Sequence, residues 1–349
     1  MTNRWALISL ACAAACLAQT LSFERRKVGV LGSESIAGCA SAGRTLATWG
    51  ERVRWWNLPQ GNNAVAGPRG PFAEGGAILD VNADGQLDLV VNETRPPSAL
   101  VWLAAPHGTR HVIDTGVDAA DVISAELFGR RGILLVHRRA QVRFYEIPPH
   151  PEDRWPVSEI YSFYTPSDQG GLALADIDGD GRPDILCGNY WIHSPESFEL
   201  PWRLFAIELW NEQPHSAMLR LGLIAPGQLV AMQREMPRGR LAWFEKPADP
   251  KQLWIEHRVG QWPTVDAARS LDVADLDGDG RLDVIVGEEG SRARLIVFLN
   301  RGEGRFEAQV IAGHVAADHI RTIHLDGGSR ADILTVGKGV ISWWKNQTR

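Results

Sequence analysis

An aromatic residue within a short apolar segment recurs along the chain, and this repeat constrains the fold more than any other feature. Seven copies occur 42 to 55 residues apart, and in five of them a proline follows four residues after the aromatic ring. Four-stranded repeats of roughly 40–50 residues are typical of propeller blades, whereas a β-helix would need much shorter repeats. We therefore predict an all-β, seven-bladed β-propeller whose rings pack between neighbouring sheets. The aromatic positions are Trp55, Trp102, Phe144, Trp191, Trp243, Phe298 and Trp343.

A nine-residue acidic loop between two apolar strands is the second repeated feature. Its best copy, Asp275–Asp283, has carboxylates at positions 1, 3, 5 and 9, and Gly278 and Gly280 allow the backbone to curl tightly. Carboxylates this close would repel one another, and a hard cation such as Ca²⁺ binds about six to eight oxygen ligands. We therefore predict three calcium sites. Their ligands are Asp80, Asn82, Asp84 and Asp88; Asp176, Asp178, Asp180 and Asp184; and Asp275, Asp277, Asp279 and Asp283.

An EF-hand also begins with alternating aspartates, but it needs a bidentate Glu at position 12 and a helix on each side. Position 12 of the best copy is Val286, and its flanks are apolar and β-branched rather than helical in period. A decayed fourth copy, His324–Asp332, keeps two carboxylates, so we expect it to hold metal poorly. Three other units keep the strands but lose the acids, at Ala40–Thr45, Glu126–Gly132 and Gly222–Gln228.

The acidic loops, which read D-x-[DN]-x-D-G-x-x-D and precede apolar strands, resemble FG-GAP/VCBS repeats. These repeats also build the calcium-binding propellers of integrin alpha subunits. Together with the WFEKP-type strands, they make the chain similar to bacterial exported VCBS-repeat proteins. The resemblance implies a calcium-binding propeller, and it leaves the function open because such propellers serve as adhesion modules, sugar binders and enzymes.

The two ends of the repeat array predict how the ring closes. The last unit stops after its third strand, at Ile341–Asn346, and lacks a fourth. The segment Phe23–Val28 has the same pattern as the fourth strand of unit five, Trp254–Val259: an aromatic, four mostly polar residues and Val-Gly. We therefore expect the N-terminal strand to complete the seventh blade.

The first 18 residues predict export. Residues 1–18 resemble a secretory signal, because Arg4 provides a positive start and Ala6–Ala15 forms a short apolar core. Export would place the protein in the periplasm, outside the cell or at the cell surface, and lipidation of Cys12 or Cys16 is the alternative to a cleaved signal. The core is too short to cross a bilayer, and no other segment approaches that length, so we expect no transmembrane segment.

The remaining chain, residues 19–349, contains no Pro/Ser linker or low-complexity stretch, so we predict a single domain. It retains two cysteines, Cys39 and Cys187, which is too few for a disulfide framework. They lie in units one and four, on opposite sides of the ring. A disulfide requires Cα atoms within about 7 Å, so we expect both thiols to be free.

The charge distribution favours an anionic partner. The chain has 42 acidic and 36 basic residues, but the three near-complete loops hold eleven of the aspartates. The face opposite those loops is rich in arginine and suits a negatively charged ligand, such as a uronate-bearing glycan or a protein. We find no nucleic-acid motif and expect a monomer. The basic residues are Arg138, Arg139, Arg234, Arg238, Arg240, Arg292, Arg294 and Lys338.

Polar residues also precede the first strands of the units, where they should surround the mouth of the central channel. They include two histidines and a glutamate that could act as general bases, and arginines that could hold a carboxylate. Two function classes therefore stay open: a binding module, and an enzyme that resembles polysaccharide lyases or aldos-2-ulose dehydratase. An enzyme would require these groups to converge on one pocket. The weak catalytic candidates are His319, His215, Glu74, Arg269 and Arg321, and the other polar residues are Asp121 and Gln169.

Overall fold

The structure, a computed structural model of the 349-residue chain, contains seven four-stranded antiparallel sheets and no helix among the residues it describes. The seven sheets are the blades of a β-propeller, as the aromatic repeat predicts. Within the described residues, no helix is long and apolar enough to span a membrane. The predicted signal, residues 1–18, lies outside the described part. The structure describes residues 20–164, 168–209, 218–233, 240–259, 265, 268–289 and 292–348.

In each of the first three blades, four consecutive strands form a meander. Most of the second and third strands are largely apolar and buried, because they pack between two neighbouring blades. Blade one contains β2 (Ile36–Ala42), β3 (Thr45–Gly50), β4 (Arg54–Asn57) and β5 (Asn62–Val65); blade two contains β6 (Phe72–Leu79), β7 (Asp88–Glu93), β8 (Ala99–Ala104) and β9 (Thr109–Thr115); blade three contains β10 (Ala119–Leu127), β11 (Arg130–His137), β12 (Gln141–Glu146) and β13 (Val157–Ser162).

Blades four to six repeat this order. Their fourth strands are more exposed than the second and third, because they form the outer rim of the ring. Blade four contains β14 (Leu172–Ala175), β15 (Asp184–Cys187), β16 (Tyr190–His193) and β17 (Arg203–Ala206); blade five contains β18 (Arg220–Ala225), β19 (Gln228–Met232), β20 (Leu241–Glu245) and β21 (Ile255–Arg258); blade six contains β22 (Ala268–Ala274), β23 (Asp283–Glu288), β24 (Leu295–Asn300) and β25 (Phe306–Ala312).

Blade seven joins the two ends of the described chain. Its order is β1-β28-β27-β26, so the N-terminal strand forms the outer edge beside the last strand. The pairing begins at Phe23 opposite Asn346, which confirms the predicted closure. The strands of this blade are β1 (Phe23–Val30), β26 (His319–Ile323), β27 (Asp332–Gly337) and β28 (Val340–Asn346).

The predicted aromatic positions all lie in third strands, but the side chain of Phe298 packs against the preceding blade, whereas the other six pack toward the next blade. In blade two, Trp102 is opposite Val90, two residues after the ninth loop residue Asp88, and it packs toward blade three. The equivalent residue of blade six is Val297, opposite Ile285, whereas Phe298 packs back against blade five. The sequence prediction was therefore off by one residue in blade six, where successive side chains of a strand point to opposite faces.

The first strands converge on the axis, and small residues allow this close approach. A Cβ at Gly38 would lie 2.3 Å from the carbonyl oxygen of Glu74 and 2.5 Å from the Trp49 ring. Any larger residue would separate blades one and two at this point. Cys39 in β2 and Cys187 in β15 are buried and unbonded, as predicted.

Candidate metal loops and central cavity

The acidic loops connect the first and second strands of blades two, four, six and seven. In the best copy, the carboxylates of Asp275, Asp277 and Asp279 offer oxygens that all lie within 4.8 Å of one another. Asp275 accepts backbone N–H groups from Gly278 at 2.7 Å and Gly280 at 2.9 Å. Both glycines have φ near +80°, which is why this turn requires them.

The loop of blade four gathers its acids in the same way and adds a nitrogen. Asp176, Asp178 and Asp184 form one close group, and Asp178 and Asp180 form another with His193. The ring of His193, at the end of β16, lies 2.9 Å from the Asp178 carboxylate. This loop therefore contains one set of oxygen ligands alone, which suits a hard cation, and one set with both oxygen and nitrogen ligands.

The ninth aspartate of each loop holds two backbone segments together. Asp283 accepts the N–H of Leu276 in the loop and the N–H of Asn300 at the end of β24, both at 2.9 Å. Asp88 and Asp184 make the same two contacts in blades two and four. In the decayed loop, Asp332 keeps the contact to the third strand. This residue therefore fixes the loop to its blade, a role that the ligand spacing alone did not reveal.

Burial of these ninth-position aspartates disfavours their charged form. Loss of hydration raises the pKa of Asp184 to about 6 and the pKa of Asp283 to about 7. It moves the pKa of Asp88 in the same direction. Neighbouring loop aspartates add to the effect on Asp184 and Asp283 by repulsion, which a bound cation would reverse.

A basic side chain at or just after the third strand lies beside the third-position acid wherever there is one. Arg301 Nη1 lies 2.8 Å from Asp277, and Lys345 lies 3.2 Å from Asp326 in the decayed loop. In blade four the partner is His193, as described above. Blade two has Asn82 at this position, and no described basic side chain pairs with a carboxylate of its loop. The three loops with an acid at position 3 therefore also have a basic side chain beside that acid, and the loop with Asn82 has none among the described residues.

Each loop also accepts a hydrogen bond from the next blade around the ring. The donors are basic side chains and the acceptors are backbone carbonyl oxygens of the first three loop positions. The distances are 2.7 to 2.9 Å. The four contacts are Arg131 to Asp80, Lys246 to Ile177, Arg330 to Asp277 and Arg44 to Leu325.

The central cavity is the second candidate site. It has a volume of about 160 Å³ and is surrounded by the first strands of the blades. The Arg220 guanidinium on β18 donates to Glu74 on β6. Its Nη1 also lies 3.5 Å from Asp121 on β10, and Asp121 accepts the N–H of Gly171 at 2.7 Å. One arginine thus links blades two, three and five across the channel.

Several predicted channel residues do meet in this cavity. Glu74, Asp121, His319 and Arg321 line it, and Arg321 donates at 2.6 Å to the carbonyl oxygen of Cys39. The remaining candidates lie elsewhere or outside the described part.

Arg269 does not line this cavity and lies 3.9 Å from Glu289. Gln169 is buried, and its backbone N–H donates to the carbonyl of Arg139 at 2.7 Å. His215 lies outside the described residues.

Arg220 is the main channel residue that the sequence did not predict. Its unit has no acidic loop, because the turn is shortened to Pro226-Gly227. Without the loop, the start of the first strand could not be located from the sequence. The polar residue assigned to this unit was His215, five positions too early.

Comparison with known proteins identifies the repeat. A family model described as FG-GAP-like repeat matches residues 275–335, from the acidic loop of blade six to β27. The chain is a β-propeller that contains an FG-GAP-like repeat. No curated protein matches it in sequence.

Solved structures share the fold of this propeller. The propeller domain of Myceliophteria thermophila Cps50 (Swd1) has a TM-score of 0.59 and 13% identity, with 92% of this chain and 99% of that domain covered. YCF48 from Cyanidioschyzon merolae has a TM-score of 0.58 and 11% identity, with 92% and 98% covered. The Dos1 propeller has a TM-score of 0.56 and 9% identity, with 89% and 78% covered. At these identities the likeness concerns the fold alone.

Proposed function

We propose that the chain is an exported, calcium-stabilised propeller that binds an anionic ligand. The observation that carries the calcium assignment is the group Asp275, Asp277 and Asp279, whose oxygens lie within 4.8 Å of one another. Oxygen-only groups of this density suit a hard divalent cation, and the glycines between them give the loop the curvature that coordination requires.

Calcium would act on the ring as well as on one loop. The loop carbonyls that accept Lys246 and Arg330 from the next blade belong to the same turns as the acids. A cation that fixes such a turn also fixes the acceptors for the neighbouring blade. We therefore expect calcium to stabilise contacts between blades, with the ninth aspartates holding each turn to its own sheet.

The alternative, an enzyme on glycans or sugars, has less support. The central cavity, about 160 Å³, is smaller than the roughly 300–1,000 Å³ of most ligand pockets. Glu74 and Asp121, its two strand carboxylates, are both engaged by Arg220. Carboxylates already engaged by a guanidinium are less available to a substrate, so the convergence in this cavity favours a structural role for the pair.

Thermal melting with chelator and with millimolar calcium tests the proposal. Binding to the folded state alone adds RT ln(1 + [L]/Kd), or about 2.7 kcal/mol per site at a hundredfold excess over Kd. The parent should therefore melt at a clearly higher temperature with calcium. Asp279→Ala removes a ligand from the best loop and should reduce that response.

The matched control is His324→Ala in the decayed loop. This loop has no acid at positions 1 and 5, and His324 contacts the carbonyl of Gly328 at 3.2 Å. Its removal should leave the calcium response unchanged. Coincident parent curves with and without calcium would show that the loops are plain turns and would end the calcium assignment.

Export rests on residues 1–18 alone, and cell fractionation tests it. The expected result is a mature protein outside the cytoplasm with a mass that lacks the leader. A mass increase by a lipid at Cys12 or Cys16 would favour the lipoprotein instead, and an uncleaved cytoplasmic protein would rule out both.

A further inference from the structure

A basic cleft lies between blades six and seven, on the face opposite the acidic loops. It has a volume of about 270 Å³. Turns between second and third strands form two of its walls, the connection from β25 to β26 forms another, and β1 closes the outer side. It is lined by Arg25, Ala293, His314, Ala316, Gly337, Lys338, Val340 and Ser342.

Three cationic or protonatable side chains enter this cleft from three separate segments. Arg25 comes from β1, His314 from the β25–β26 connection and Lys338 from the β27–β28 turn. No carboxylate is among the described residues that line the cleft. A nearby acid is Asp318, whose carboxylate would lie 2.8 Å from a Cβ at Gly337; Asp318 lines the central cavity and is not among the described residues that line this cleft. The cleft itself therefore has a one-sided positive charge.

Arg25 is held in place without an acidic partner. Its Nε and Nη2 both lie 3.2 Å from the hydroxyl of Ser342, which is 2% exposed. Its guanidinium also lies 5.1 Å from the centre of the Trp344 ring. None of its described contacts is an ion pair. The guanidinium is thus preorganised by neutral groups and keeps its charge for a ligand.

The backbone around the cleft is also unusual. Three lining residues other than glycine have positive φ: Ala293 at 40°, His314 at 56° and Lys338 at 45°. For Lys338 the two-residue turn with Gly339 explains this conformation. The carbonyl of Ala293 accepts the N–H of Val315 at 2.7 Å, which ties the two turns together. Such conformations cluster at ligand sites, where the surrounding structure holds them.

We propose that this cleft binds the carboxylate of a uronate sugar. The inference rests on the anionic ligand of the proposed function and gives that ligand a site. Arg25 and Lys338 would bind the carboxylate, since guanidinium and ammonium groups form strong hydrogen bonds to carboxylates. The volume lies just below the roughly 300–1,000 Å³ of most ligand pockets, which suits one sugar residue rather than an extended chain, and the walls at Ala293, Ala316 and Val340 are apolar enough to contact ring carbons.

Ligand-observed NMR titration at fixed ionic strength tests this site with three probes: glucuronate, glucose and inorganic sulfate. The double variant Arg25→Gln/Lys338→Asn removes both charges. Glutamine can still hydrogen-bond Ser342, and asparagine tolerates the positive φ of the turn. The expected result is glucuronate binding to the parent, at least about tenfold weaker binding to the double variant, and no binding of glucose.

Arg138→Asn is the matched control. Arg138 is an exposed cation on the same face, with φ of 49° in the equivalent turn of blade three, and it lines no described cavity. It should bind glucuronate like the parent. An equal loss in this variant would show a diffuse charge effect and would overturn the site.

Two other results would also overturn it. Sulfate binding as tight as glucuronate binding would make the cleft a general anion site with no preference for a sugar. Absence of glucuronate binding to the parent would remove the site altogether. Calcium melts on the same samples keep the two proposals separate. If the parent responds to calcium but does not bind glucuronate, the uronate site is refuted and the calcium proposal stands.

Discussion

The blades with acidic loops and the blades with short hairpins are complementary. Blades two, four, six and seven extend nine-residue loops, whereas blades one, three and five turn from their first to their second strand within about two residues. Three of the four basic donors to the loop carbonyls come from the hairpin blades: Arg44, Arg131 and Lys246. Each reaches back to the loop of the preceding blade.

This difference gives the acid-free units a role of their own. Each blade with a short hairpin supplies a cation to the backbone of the preceding loop. The fourth donor, Arg330, comes from the decayed loop of blade seven and reaches blade six in the same way. A loop that has lost its acids can therefore still act as the donor for its neighbour. Three predictions test this division, from the largest effect to the smallest.

Asp283→Ala should destabilise the protein by about 2–5 kcal/mol, because it leaves two buried N–H groups without an acceptor. Urea denaturation in the presence of chelator measures this without the metal contribution. The hairpin counterpart is Gln228, which begins β19 opposite Ala225 as Asp283 begins β23 opposite Ala274. Gln228→Ala should change the free energy of unfolding by less than about 0.5 kcal/mol. Equal losses in the two variants would mean that loop and hairpin blades are held alike.

Lys246→Met should cost about 1 kcal/mol, because it keeps the apolar stem but removes the hydrogen bond to the Ile177 carbonyl, 2.8 Å away in blade four. Lys251→Met, in the same blade, is the control. Lys251 is exposed, and its Nζ lies 5.9 Å from the centre of the Phe205 ring, so its substitution should change the free energy of unfolding very little. Denaturant midpoints of both variants provide the comparison. If Lys246→Met were as neutral as its control, the donors from hairpin blades would be incidental.

The smallest effect concerns acid pH and blade three. Burial lowers the pKa of His137, and the positive charges of Arg143 and Arg138 act in the same direction. The unfolded chain therefore takes up the proton first, so this residue's contribution to stability is present above about pH 6.5 and is lost as the pH falls through the folded pKa. His137→Asn can still accept the Asp118 N–H and should flatten the stability profile between pH 7 and 5. Parallel profiles for the parent and the variant would refute this.

Much of the fold could be predicted because it depends on local patterns that repeat. The aromatic positions gave seven blades, and the likeness of Phe23–Val28 to a fourth strand gave the closure of blade seven. Where the local pattern weakened, so did the prediction. Phe298 satisfied the spacing but not the register, since a shift of one residue reverses the face of a strand.

The site was less predictable because its contacts join distant parts of the chain. Arg220 and Glu74 are 146 positions apart, and nothing local to either residue indicates the other. The second role of Asp283 depends on Asn300, whose N–H it accepts from the end of the neighbouring strand β24, 17 positions along the chain. Spacing within one loop can suggest ligands, but it cannot show which oxygens are already engaged by another strand.

The position of β1 has a mechanical consequence. Phe23 pairs with Asn346, and Ser22 donates to the Thr348 hydroxyl at 3.1 Å, so both ends of the described chain leave the ring at one point. A force applied between the two ends would load the terminal residue pair first. It would then separate β1 from β28 one residue pair at a time, up to Val30. The ring would therefore tear at blade seven under a small tension, while a pull between two other blades would meet many hydrogen bonds at once.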